Sequence, residues 1–192
     1  MNLLVLLLLV PLLGTAACAL APKPKTARQM ALFFSLVSLL VAALAVWRFY
    51  SPSAGPGSLD YTGMSLGAIG FTFRLGVDAV SLWLVVLTCF LQPLAVAASF
   101  EAIRERQKEY YAWMMALLVA MLGVFVARDV LLFYIFFELT LIPMFFIIGI
   151  WGGPERRYAA GKFFLFTFTA KPDRKPMTTQ NRSVLLSAAT PL

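Results

Sequence analysis

Five long apolar runs restrict what this chain can become more than any other feature. They cover residues 2–21, 30–47, 77–100, 110–127 and 130–151. A helix rising 1.5 Å per residue needs about 20 apolar residues to cross about 30 Å of hydrocarbon, and each run meets or nearly meets that length. In lipid every backbone N–H and C=O must be paired within the segment, so the runs are expected as helices. The chain therefore reads as an all-α polytopic membrane protein. Composition agrees: 61% of the residues are hydrophobic and 13% charged, with a mean hydropathy of +0.85. An ordinary soluble domain carries about 25% charged residues.

The first run could be a signal peptide, with Thr-Ala-Ala-Cys before Leu20 resembling a lipoprotein cleavage site. It has no positive n-region, and its apolar stretch is longer than an h-region, so a retained helix is expected. A sixth run, residues 158–170, is about 13 residues long and too short to span. It gives way to a polar, basic tail over 171–192, expected to be disordered. Five transmembrane helices, an incomplete sixth and a tail suggest a truncated or frame-shifted member of a longer family.

Two absences narrow the function. The chain has no histidine, which excludes haem, zinc and copper sites built on imidazole. Cys18 and Cys89 are too few and too far apart for an iron–sulfur site or a disulfide framework, and read as packing residues. No metal, cofactor or redox centre is expected in this chain.

The net charge of +7 has a topological reading rather than a nucleic-acid one. The first connection holds Lys23, Lys25 and Arg28; the third holds Arg104, Arg106 and Lys108; the fifth holds Arg156 and Arg157. The second has Arg48 and Arg74, and the fourth is the turn Arg128-Asp129. The positive-inside rule then puts the odd connections in the cytoplasm and the N-terminus outside. The lipid bilayer is the expected surrounding, and no nucleic acid is.

The second connection is rich in Gly and Pro and reads as a loop. Met64–Ile69 and Phe71–Leu75, separated by Gly70, can pair as a short hairpin. A phosphate-cradling reading fails because no Gly-Lys-Ser/Thr follows. Asp78, at the head of the third helix, is expected as a helix cap, and Arg128 and Asp129 as caps of adjoining helix ends that pair only locally.

Glu138 is the one acidic or basic residue in the interior of the five runs, about nine residues into the fifth. A carboxylate at the centre of a membrane helix costs roughly 2.5–3.5 kcal/mol on insertion scales, and such groups mark proton relays more often than structure. Tyr134, one turn earlier, lies on the same face and can bond the carboxyl, or simply pack. Pro143 has no N–H, so the carbonyl of Leu139 loses its helical partner. That loss fits either a hydrated local opening or an ordinary kink. Lys162 either enters the interior as a second titratable group or snorkels to the interface.

The stretch FFELTLIPMFFIIGIWGGPERRYAAGKFFLFT carries a specific resemblance, through Glu-x-x-x-Ile-Pro-Met and Ile-Trp-Gly-Gly together. It resembles the M subunit of bacterial NADH-quinone oxidoreductase (respiratory complex I), the counterpart of mitochondrial NADH dehydrogenase subunit 4. Gly76–Ser99 is similar to the third-helix region of that family, and the likeness runs to about Ala170. The resemblance implies an antiporter-like inverted-repeat bundle that moves protons, driven by electron transfer elsewhere. NADH, flavin, iron–sulfur clusters and quinone would sit in partner subunits, and other membrane-arm subunits would be neighbours. It implies a bacterial inner-membrane location and a proton-pathway role for Glu138, whose usual partner is a lysine on a seventh helix. Lys162 matches the Lys-Phe-Phe segment of the family. An Mrp-type cation/proton antiporter subunit and a non-catalytic membrane fragment are the alternatives.

Overall fold

The computed structural model describes residues 3–51, 59–66, 71–153 and 156–169. Six helices and one hairpin follow in chain order: α1 Leu3–Leu20, α2 Pro24–Phe49, β1 Tyr61–Leu66, β2 Phe71–Leu75, α3 Ala79–Ala102, α4 Gln107–Val126, α5 Val130–Trp151 and α6 Arg156–Thr169. The first five helices are long and apolar enough to cross a membrane. The chain is a multi-pass membrane protein. The sixth helix has 14 residues. The tail over 171–192, expected to be disordered, lies outside the described residues.

α2 is longer than the apolar run that announced it, starting at Pro24 and ending at Phe49. Proline at the first helical positions explains the early start, because its missing N–H is unpaired there in any case. The inner face of α2 is built from small residues, with Ala27, Ala31, Ser35, Ser38, Ala42 and Ala45 buried. Between membrane helices such residues let backbones approach closely. The hydroxyls of Ser35 and Ser38 donate within the helix, to the Leu32 and Phe34 carbonyls at 2.8 Å.

α4 is the centre of the bundle, packing against α1, α2, α3 and α5. Its buried side includes Tyr111, Met115, Leu118, Leu122 and Val126. α1 packs on both α2 and α4, with Leu4, Leu7 and Cys18 fully buried. Cys89 of α3 is also fully buried.

The two ends of the bundle differ. At the basic end the Lys108 ammonium donates to the Pro22 carbonyl at 2.9 Å, and the Trp151 indole donates to the Glu105 carbonyl at 2.9 Å. The Tyr110 and Trp151 rings meet edge to face there, 5.2 Å apart. Arg28 lies 3.7 Å over the Phe100 ring. The turn into α4 passes through Arg106 at φ 48, a left-handed conformation that is uncommon for a side-chain-bearing residue. Its guanidinium pairs with Glu109 one turn on.

The hairpin marks the opposite end. β1 pairs antiparallel with β2, Tyr61 opposite Leu75 and Leu66 opposite Phe71. The first strand begins three residues earlier than Met64, so the expected register was offset, and residues 67–70 lie outside the described residues. A bulge between Thr62 and Ser65 shifts the register by one residue within the pair. β2 also docks on the α4–α5 turn: Gly76 N–H donates to the Val126 carbonyl at 2.8 Å, and Arg128 N–H to the Arg74 carbonyl at 3.0 Å.

Two expectations about this end are corrected. Asp78 precedes α3 but makes no side-chain capping bond. Its carboxylate instead binds Arg128 at 2.9 Å, and Asp60 lies 3.7 Å from the same guanidinium. Arg128 therefore does not pair with Asp129 but joins the second connection to the α4–α5 turn. Asp129 caps α5 as expected, accepting from Leu131 N–H at 2.9 Å and Leu132 N–H at 3.4 Å.

Candidate functional site

α5 begins at a strong cap and runs unbroken through Pro143 to Trp151. Glu138 is the ninth of its 22 residues, so about 12 Å along the helix from its start. At 100° per residue, Leu132, Phe136, Leu139 and Pro143 share one face. That face packs on α4: a Cβ added at Gly123 would fall within the Phe136 ring. Tyr134, Glu138, Leu141 and Phe145 share the opposite face. Glu138 is half-buried there, and α5 is the least buried of the five spans.

The Tyr134 side chain lies one turn before Glu138 on the same face of α5. The two candidates are brought together, one turn apart. Among the described residues no basic side chain pairs with Glu138. α6 packs on α5, with Gly149 facing Ala160. Lys162 of α6 is exposed, its ammonium 4.9 Å from the centre of the Tyr158 ring. It does not reach Glu138.

Pro143 is buried, and the side chains around it are mostly apolar. With Leu139 it lines a groove of about 200 Å³, open on one side, whose other wall includes Thr15 of α1 and Trp113 and Ala116 of α4. Trp113 stacks on Phe146 of α5, ring centres 4.5 Å apart and planes 13° from parallel. The Thr15 hydroxyl donates to the Pro11 carbonyl at 3.0 Å, so it turns back on its own helix. Pro143 and Glu138 thus face different sides of α5 and do not form one site. Among the described residues no group of three or more His, Cys, Asp or Glu gathers to hold a metal ion.

Two structural residues escaped the sequence reading. Arg128 gathers partners fifty and more positions away, which no local spacing reveals. Trp151 was singled out only as part of a motif, yet it ties the end of α5 to the α3–α4 connection. A glycine facing a phenylalanine across helices, as at Gly123, carries no one-dimensional signal at all.

Comparison with known proteins decides the family. Residues 3–126 match the family model described as NADH-ubiquinone oxidoreductase chain 4, amino terminus. Chain 4 is the family of this protein. Residues 127–171 match a second model, NADH:quinone oxidoreductase/Mrp antiporter, which holds Glu138, Pro143 and Lys162. Subunit M of NADH-quinone oxidoreductase from Rhodobacter capsulatus is 42% identical over 173 residues, covering 87% of this chain and 33% of the relative. NADH-ubiquinone oxidoreductase chain 4 of Prototheca wickerhamii is 39% identical over 184 residues, covering 87% and 35%. The chain thus spans about a third of the length of these chain 4 relatives. Among solved structures, respiratory complex I from Thermus thermophilus contains a similar chain, with a TM-score of 0.73 and 25% identity over 86% of this chain and 33% of that one. An archaeal membrane-bound sulfane sulfur reductase shares the fold at a TM-score of 0.74 and 18% identity, over 88% and 34%. The antiporter-like helical fold expected from the sequence is the fold of this chain 4 protein.

Proposed function

We propose that this chain serves as a proton-translocating membrane subunit of a NADH-quinone oxidoreductase, with electron transfer carried out in other subunits. NADH, flavin, iron–sulfur clusters and quinone are then held by those partners, and none by this chain. One observation carries the reading. A carboxylate lies mid-way along a membrane-spanning helix, turned away from the helix it packs on, with a tyrosine one turn away on the same face.

The chemistry follows from the dielectric. Hydrocarbon disfavours a charged carboxylate, and a nearby cation restores it. Proton binding at Glu138 is therefore coupled to the approach and withdrawal of a positive group. Movement of such a group, driven by redox chemistry elsewhere, converts electron transfer into proton displacement. Tyr134 orients the carboxylate and offers a hydrogen-bonded route for the proton.

No cation meets Glu138 among the described residues, and we propose that the chain alone does not translocate. The counter-charge comes from further segments such as the longer relatives possess, or from a neighbouring membrane-arm subunit. Lys162, on a helix packed against α5, is the described residue best placed to join that pathway. The basic end faces the cytoplasm of a bacterial inner membrane by the positive-inside rule. The chain 4 amino-terminal match supports the respiratory reading over the Mrp one.

The test is Glu138→Gln in a full-length version of the subunit within its assembled complex. Glutamine keeps size and hydrogen bonding but cannot release a proton. Proton pumping in vesicles is expected to be abolished with assembly intact, and normal pumping would overturn the assignment.

A further inference from the structure

We propose that the groove between α1, α4 and α5 holds an acyl chain of an anionic phospholipid, with the phosphate of that lipid bound at the basic end. The inference rests on the membrane-spanning reading of the bundle and is independent of any proton role for Glu138.

Depth is the first argument. α1 and α5 both pack on α4, and the groove runs between them. Thr15 is five residues from the end of α1, Trp113 six from the start of α4, and Leu139 twelve from the end of α5. At 1.5 Å per residue these positions lie about 8, 9 and 18 Å from the basic end. The hydrocarbon core is about 30 Å thick, so the groove occupies mainly the half-bilayer next to that end. A lipid of that leaflet points its acyl chain into the groove and its headgroup toward the basic residues.

Charge is the second argument. Lys108 bridges the start of α4 and the α1–α2 connection through its bond to the Pro22 carbonyl, at the end of the bundle toward which the groove lies. An ammonium has three protons to donate, and that bond uses one. Lys23 and Lys25 are exposed on the same connection. Glu109, the acid one turn from Trp113, is already paired with Arg106. Glu101 and Glu105 are the other described acids of this end, both exposed. The rim keeps a positive surplus, which complements a phosphodiester with a net negative charge and not a zwitterionic choline headgroup.

The wall is the third argument. Apart from the Trp113 indole and the inward-turned Thr15, only aliphatic side chains line the groove. Such a lining offers an acyl chain dispersion contacts and a polar ligand little to bond.

Trp113 supplies the probe. The chain is reconstituted in phosphatidylcholine vesicles containing a minor fraction of lipid brominated in mid-chain, either phosphatidylglycerol or phosphatidylcholine. The Trp113 signal is the difference between the unaltered chain and Trp113→Phe. Brominated phosphatidylglycerol is expected to be about fivefold more effective as a quencher, the preference that roughly one well-placed lysine confers. The combined substitutions Lys23→Gln and Lys108→Gln should remove that preference, while Arg48→Gln at the other end should leave it. Equal quenching by the two lipids in the unaltered chain overturns the proposal without any substitution. So does no quenching by either, which would mean that protein covers the groove. Loss of the preference in Arg48→Gln overturns it as well, by showing a general surface-charge effect.

Discussion

At Gly123 there is no room for a methyl group, because the Phe136 ring already lies against the α4 backbone. An aromatic ring cannot slide aside as a flexible chain end can. Gly123→Ala is therefore expected to lower stability by about 1–3 kcal/mol, the range for overpacking a tight interface. Phe136→Leu in the same chain should recover part of the loss. Thermal unfolding in detergent, followed by circular dichroism, would check both, and an unshifted Gly123→Ala would count against the close α4–α5 contact. The same contact matters for Glu138. Phe136 fixes the rotation of α5, and with Phe136 inward the carboxylate two residues on must face outward.

At the scale of the element, α5 is held at both ends by side chains. Asp129 caps its first turn, and the Trp151 indole reaches the Glu105 carbonyl across the bundle end. Replacing Trp151 by phenylalanine keeps the ring against Tyr110 and removes the donor. A loss of about 0.5–1.5 kcal/mol is expected, the net worth of one such bond. Urea titration of the detergent-solubilised chain would measure it. The Ile-Trp-Gly-Gly motif was legible as a family marker, but its physical work was not. That work lies between Trp151 and Glu105, which are 46 positions apart in sequence. The hairpin was legible as well, from its alternation and its glycine. Its bulge was not, because a bulge changes pairing without changing composition.

For the molecule as a whole, Arg128 closes one end of the bundle. It draws Asp60 and Asp78 of the second connection onto the α4–α5 turn. All three side chains are well exposed, so the pairs themselves contribute little, about 0–1 kcal/mol each. The backbone bonds from Gly76 and Arg128 carry the docking as well. Arg128→Gln is accordingly expected to cost no more than about 1 kcal/mol and to leave the helices in place, with faster hydrogen exchange at the Gly76 amide. Unchanged exchange there would show that the ion pairs add nothing to the clamp. Beyond this clamp, the bundle is organised on α4, and α5 lies at its edge.

The five spans, the mid-helix carboxylate and its tyrosine neighbour were all set by the sequence itself. Their physics is local or one-dimensional: run length against bilayer thickness, one charge against hydrocarbon, one turn of helix between partners. The direction in which Glu138 faces, the separation of Pro143 from it, and the partners of Arg128 and Trp151 were decided only by the tertiary structure. Those depend on which helix lies beside which, and hence on packing between residues far apart in the chain.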